Sequence, residues 1–258
     1  MKKYPKNGSL PKPAGRNGAL KDKHILISGG TTGIGRATAL LLANEGAKVF
    51  VFGRHKRELA DVLKDAQGCA GSVFGITADQ AEPEGVDKVF TAVSKKFPHL
   101  DVLVNNAGIG GNDITADSDE GMMYTVKSNL LGYLYCARRA IKLMKQRKSG
   151  HIVNVGSINA ETMEEGGEIY TATKSAIRAF SKSLRKTLKD SGIKVSLIEP
   201  GMTGTDMLDE DSKEQQEKEA KLEMLKAEDI ADAVHYCLTR SSRVVVTSIQ
   251  VEPLCAED

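Results

Sequence analysis

The sequence lacks an excess of either charge: 36 basic residues stand against 34 acidic ones, a net charge of +2. No global field therefore favours nucleic acid or a membrane surface. It also lacks any apolar run near the ~18 residues that a membrane helix needs. The basic start, Met1-Lys2-Lys3-Tyr4-Pro5, has no apolar secretory core behind it. Cysteine is scarce and scattered: Cys69, Cys136, Cys237 and Cys255 lie far apart and form no Cys-x-x-Cys pair. That pattern speaks against a disulfide frame and against a zinc site, and no metal is expected. The expectation from these absences is a cytoplasmic protein with reduced thiols.

What is present is ordinary for a globular enzyme-sized chain: 258 residues, 40% hydrophobic and 27% charged. That length suffices for one sizeable α/β domain with a full core. Residues 1–20 are rich in Lys, Pro, Gly and Asn without periodicity, and read as a flexible arm. Residues 21–258 read as one domain with no repeat and no second linker. Along it, apolar runs at 24–27, 47–52, 72–77, 101–104, 151–155, 193–198 and 244–251 have strand character. They alternate with helical patterns at 36–45, 56–66, 85–97, 119–148, 168–189 and 227–238, and with a highly charged segment at 209–221. Such alternation implies a parallel sheet covered on both faces, with any ligand site at the strands' carboxyl ends.

The stretch that organises the rest is Ser28-Gly29-Gly30-Thr31-Thr32-Gly33-Ile34-Gly35, between the first strand and the first helix. Unpaired N–H groups and the positive end of the helix dipole make such a turn an anion site. Glycine allows a tight turn and a close approach of pyrophosphate. The spacing is G-x-x-x-G-x-G, which differs from the common G-x-G-x-x-G. A plain strand-to-helix turn remains the other reading of the loop alone.

Further chemistry-bearing residues fall at the ends of later strands. Asn105-Asn106-Ala107-Gly108 follows the fourth strand, and Gly156-Ser157 the fifth. Tyr170 and Lys174, four apart on a predicted helix, share a face. A lone Tyr-x-x-x-Lys occurs on many solvated helices, but a serine at the preceding strand end gives the pair a purpose. A phenol with pKa of roughly 10 is a poor acid–base group at neutral pH. A neighbouring ammonium lowers that pKa, and a serine hydroxyl polarises a carbonyl oxygen. At the end of the second strand stands Phe52-Gly53-Arg54. An acid there would bond the adenine ribose hydroxyl of NAD, whereas a cation suits the 2′-phosphate of NADP. Arg54 is either that cation or a plain surface residue.

In order and spacing these motifs resemble those of the classical short-chain dehydrogenase/reductase family over about residues 21–251. The resemblance implies a single-domain doubly wound Rossmann fold of class α/β, with a seven-stranded parallel sheet and helices on both faces. It assigns catalysis to Asn129, Ser157, Tyr170 and Lys174, with Asn129 anchoring a water that links the lysine to solvent. Cofactor binding falls to Gly29, Thr31, Thr32, Gly33, Ile34 and Gly35 in the first loop. To these it adds Arg54, Asp79 beside the adenine amino group, and Asn106, Ala107 and Gly108. Tyr170, Lys174, Pro200, Gly201, Thr203 and Thr205 complete that set. The implied activity is NADP(H)-dependent interconversion of a ketone or aldehyde and an alcohol, with NADP(H) in preference to NAD(H). A non-catalytic NADP(H)-binding sensor or scaffold of the same fold is the alternative; dehydratase or epimerase relatives are usually longer. The family also implies a homodimer or homotetramer through the two long helices. Residues 202–226, directly after Pro200-Gly201, are expected to form a substrate lid, with a solvated surface helix as the plainer reading. One departure is the ending Ile249-Gln250-Val251-Glu252-Pro253, where the family often has Asp-Gly-Gly.

Overall fold

Continuous apolar runs bury on both faces of a parallel sheet, and this chain uses them so. The computed structural model describes residues 18–111, 113–163, 165–205, 207 and 212–256. The strands are β1 (His24–Ser28), β2 (Lys48–Gly53), β3 (Ser72–Thr77), β4 (Val102–Asn105), β5 (Gly150–Val155), β6 (Ile193–Pro200) and β7 (Ser248–Val251). They form one seven-stranded sheet in the order β3-β2-β1-β4-β5-β6-β7. Every neighbouring pair is parallel. The order reverses between β1 and β4, where crossovers on either side diverge and leave a crevice at the carboxyl ends. The central strands β1 and β4 are buried at every position, as their apolar centres Ile25-Leu26-Ile27 and Val102-Leu103-Val104 require.

The helices are α1 (Gly33–Asn44), α2 (Lys56–Asp65), α3 (Pro83–Lys96), α4 (Asp119–Val126), α5 (Gly132–Lys145), α6 (Asn159–Thr162), α7 (Glu168–Leu188), α8 (Ser212–Lys221) and α9 (Ala227–Leu238). One core layer packs residues of α1 and α9, among them Ala39, Leu42, Ile230 and Val234, on one face of the sheet. The other packs α3 and α5, through Val86, Val89, Phe90, Cys136 and Ala140, on the opposite face.

The structure departs from the sequence reading at three places. The stretch 119–148 is not one helix: a π-helical turn, Lys127–Leu131, separates α4 from α5. The strand expected over 244–251 is ordered as strand only from Ser248. The carbonyls of Val244 and Val246 are instead taken by Lys194 Nζ (2.6 Å) and Ser196 Oγ (2.6 Å), while that of Thr247 accepts both Arg185 Nη2 (2.6 Å) and the Leu197 N–H (3.2 Å). The short α6 was not anticipated. The arm read over residues 1–20 lies, up to residue 17, outside the described residues. Among the described residues no helix is long and apolar enough to cross a membrane.

Candidate active site

The glycine loop after β1 is built so that side chains would not fit. Gly29 and Gly33 adopt left-handed φ of +62° and +49°, where any Cβ is strained. A Cβ on Gly29 would lie 2.7 Å from Ala107 Cα, and one on Gly35 would lie 2.1 Å from the Gly29 carbonyl oxygen. The loop is stitched to the end of β4. Ser28 Oγ accepts the N–H groups of Asn106 (3.0 Å) and Ala107 (3.1 Å). Asn106 Nδ2 returns bonds to the carbonyls of Ser28 (3.1 Å) and Gly29 (3.2 Å). Asn105 is fully buried and donates to Asn154 Oδ1 (2.9 Å), so it steadies β4 against β5. Thr32 precedes α1 without capping it through its side chain, which leaves the first-turn N–H groups to an external anion. A dinucleotide's pyrophosphate fits this cradle: glycine backbone, uncapped helix end and no acidic side chain in the first turn.

At the neighbouring strand ends, Arg54 is exposed but engaged. Its Nη1 donates to Tyr124 Oη at 2.9 Å, and Tyr124 Oη donates to Asp79 Oδ2 at 2.7 Å. Asp79 Oδ1 also accepts the N–H of Ala81 (2.9 Å). Burial and the Asp79 carboxylate hold the Tyr124 phenol above its ordinary pKa, so it stays a neutral relay. Tyr124 was missed in the sequence, where nothing distinguishes an aromatic on α4 from a packing residue. Gly53 has a local reason too. A Cβ there would lie 2.4 Å from the hydroxyl of Thr31, which is itself buried against it.

A second cluster of candidate residues sits beyond β4 and β5. Lys174 is 3% exposed, and its Nζ donates to the Val155 carbonyl at the end of β5 (3.2 Å). The same carbonyl accepts Tyr133 Oη (3.0 Å). Lys174 Nζ lies 5.4 Å from the ring centre of Tyr170 and 5.7 Å from that of Tyr133. Burial lowers the Lys174 pKa to about 8. Ser157, two residues past Val155, donates from Oγ to Asn159 Oδ1 (3.1 Å) and accepts the Asn159 N–H (3.2 Å).

Asn129 lies inside the π-helical turn, a form often found at functional positions. Its side chain clasps Ile109 at both ends, accepting the N–H (2.8 Å) and donating to the carbonyl (2.8 Å). The amide thereby ties the π-helical turn to the loop after β4, and its Nδ2 also donates to Thr173 Oγ1 (3.4 Å). That loop runs over the cluster: a Cβ on Gly108 would lie 3.3 Å from Asn129 Oδ1 and 3.7 Å from Lys174 Nζ. A Cβ on Gly111 would lie 3.2 Å from Tyr170 Cβ. Asn129, Gly108, Lys174 and Tyr170 therefore form one contiguous group.

The far wall follows β6. Glu199, 3% exposed, pairs with Arg178 (2.5 Å) and accepts Ser248 Oγ (3.0 Å), which fixes the strand end before Pro200-Gly201. Thr203 Oγ1 donates to the Gly201 carbonyl (2.8 Å) and folds the turn back. Thr205 reaches the glycine loop, since a Cβ on Gly33 would lie 3.1 Å from Thr205 Cγ2. The ends of the expected lid are pinned by backbone bonds: Gly204 N–H to Leu225 O (2.8 Å) and Leu225 N–H to Met202 O (2.9 Å). Between them α8 buries no residue; residues 206 and 208–211 lie outside the described residues.

Sequence and fold comparisons agree with this architecture. The family model for short chain dehydrogenases matches residues 23–216. An uncharacterized oxidoreductase of Staphylococcus aureus is 34% identical over 236 residues, covering 91% of this chain and 99% of the relative. Among solved structures, L-sorbose reductase from Gluconobacter frateurii, complexed with NADPH and L-sorbose, superposes with a TM-score of 0.84. It is 26% identical and covers 92% of this chain and 98% of that one. A variant of actinorhodin polyketide ketoreductase with NADPH gives a TM-score of 0.81 at 27% identity, over 90% of this chain and 96% of that one. The chain belongs to the short-chain dehydrogenase/reductase family and is an oxidoreductase of that family.

Proposed function

We propose that this protein interconverts a ketone or aldehyde and the corresponding alcohol with NADP(H), using Tyr170, Lys174, Ser157 and Asn129. The observation that carries the reading is the buried ammonium of Lys174 against the Tyr170 ring, 5.4 Å from its centre, beside Ser157. The glycine cradle at Gly29, Gly33 and Gly35 would hold the pyrophosphate, and Thr31, Thr32, Ile34, Arg54 and Asp79 the adenosine end. Asn106, Ala107, Gly108, Pro200, Gly201, Thr203 and Thr205 would border the nicotinamide half. The cofactor supplies or accepts hydride. The chain's own work is proton transfer and orientation. Tyr170 Oη gives its proton to the carbonyl oxygen in reduction and takes it back in oxidation. The Lys174 ammonium stabilises the phenolate that forms. Ser157 must turn from Asn159 to the carbonyl oxygen, exchanging one neutral hydrogen bond, about 0.5–1.5 kcal/mol, for another. Asn129 holds the loop after β4 over the lysine and would anchor the water that links Lys174 to solvent.

The test is NADPH consumption against a panel of ketones and aldehydes, with Tyr170→Phe as the diagnostic variant. Phenylalanine keeps the ring and removes the proton. Turnover should fall by at least ~10²-fold, the lower range for an acid–base group, while NADPH binding stays near wild type. Turnover close to wild type would remove Tyr170 from the mechanism.

A further inference from the structure

At the opposite, amino-terminal edge of the sheet three ligand-type atoms converge on one point. They are His24 Nδ1 at the start of β1, and His99 Nε2 and Asp101 Oδ2 in the connection from α3 to β4. The two ring nitrogens are 3.2 Å apart, His99 Nε2 is 3.3 Å from Asp101 Oδ2, and His24 Nδ1 is 3.8 Å from it. A tetrahedral zinc with ligands at 2.0–2.1 Å places its donor atoms about 3.3–3.4 Å apart. Two edges of the triangle have those proportions, and the His24–Asp101 edge is longer, at 3.8 Å. The side chains of His24 and Asp101 are only 9% and 10% exposed, while that of His99 is 28% exposed. The site is thus walled on two corners and open on the third.

Hydrogen bonding alone leaves this arrangement poorly matched. With both rings neutral, a single N–H at one of the facing nitrogens can serve only one edge of the triangle. Asp101 Oδ2 already accepts the His24 backbone N–H at 2.9 Å. A cation at the centre would use all three lone pairs at once. Lys23 and Arg147 contact the other carboxylate oxygen, Oδ1, at 3.8 and 3.1 Å, so they do not occupy the ligand oxygen. Their charge nevertheless opposes a dication and holds affinity below that of an all-anionic site.

We infer that His24, His99 and Asp101 form a transition-metal site for Zn²⁺, with water in the fourth position. It contains no cysteine and its ligands come from two separated segments, which is why a search for cysteine spacing leads to the expectation of no metal. It lies at the end of the sheet away from the cofactor loops, so its role is to tie the start of β1 to the α3–β4 connection. The test is calorimetric titration of metal-free protein with Zn²⁺, repeated with Co²⁺ under visible absorption, on wild type and His99→Gln. His99 is chosen because it is the exposed ligand and its loss spares the core.

One zinc per chain should bind at micromolar concentration or tighter, and raise the melting temperature. Co²⁺ should give d–d bands of nitrogen and oxygen ligation. His99→Gln should weaken binding by at least ~10-fold and abolish the melting shift. Absence of saturable binding at about 100 µM zinc, far above the expected range, would overturn the site. So would unchanged affinity in the variant, or intense sulfur-to-cobalt charge transfer, which would put the ion on a cysteine.

Discussion

Replacing Arg54 by Ala should cost NADPH affinity and leave NADH nearly untouched. The 2′-phosphate carries close to two negative charges, and guanidinium offers it planar paired donors on a permanent charge. A hydrogen bond to a charged group contributes about 1.5–3 kcal/mol, and the exposure of Arg54 places it at the lower end of that range. In the free protein the guanidinium is held by Tyr124, through the 2.9 Å bond and with its carbon 5.8 Å from the ring centre. Giving up an exposed contact of this kind costs about 0.5–1 kcal/mol. The difference, about 0.5–1 kcal/mol, corresponds to roughly two- to fivefold preference for NADPH over NADH. Arg54→Ala should bring the two cofactors close to parity, and raised salt should narrow the wild-type gap as the surface charges are screened.

Fluorescence titration of both cofactors, at two ionic strengths, measures this directly. Equal affinities in the wild type, or an unaltered ratio in Arg54→Ala, would show that the guanidinium serves only Tyr124. Adding an acid at position 53 to favour NADH is a poorer experiment than the sequence suggests. A Cβ there would meet Thr31 Oγ1 at 2.4 Å, so Gly53→Asp would displace the cofactor loop as well as change charge.

The pH profile should report Lys174, whose burial brings its pKa to about 8. Its ammonium is present below that pH and lost above it, so kcat/KM for NADPH in reduction should decline above about pH 8; a profile flat to pH 10 would contradict the role. Lys174→Ala should weaken NADPH binding and lower turnover together, since in the proposed mechanism one ammonium would serve both ribose and phenol. Hydrogen exchange should reveal greater protection between residues 212 and 221 when NADPH and substrate are both bound, because the segment buries nothing by itself and its ends are pinned; unchanged protection would leave it a solvated helix. Sedimentation should find a homodimer or homotetramer joined through the faces of α4, α5 and α7, and a concentration-independent monomer would overturn that assembly.

The candidate residues for the proposed chemistry were legible because that chemistry restricts their type. Few side chains other than tyrosine and lysine can share a proton in this way, and only glycine tolerates φ near +60° at Gly29 with Ala107 in contact. The strands were legible where burial on both faces forces continuous apolar sequence, as in β1 and β4. The apolar run Val244-Val245-Val246 looked the same but is not strand, and Lys194 and Ser196 take the carbonyls of Val244 and Val246. Those captors lie about fifty residues away in the chain, so no window of sequence contains the competition. The π-helical turn escaped for a similar reason. Its apolar spacing is close to that of an α-helix, and what distinguishes it here is the grip of Asn129 on Ile109, twenty residues earlier. Positioning groups form the least legible class. Tyr133 must be an aromatic with a hydroxyl to reach the Val155 carbonyl from within the core, and Tyr124 must reach both Arg54 and Asp79. In sequence each is one more apolar position on a helix, and only the partner brought to it by the fold gives its hydroxyl a function.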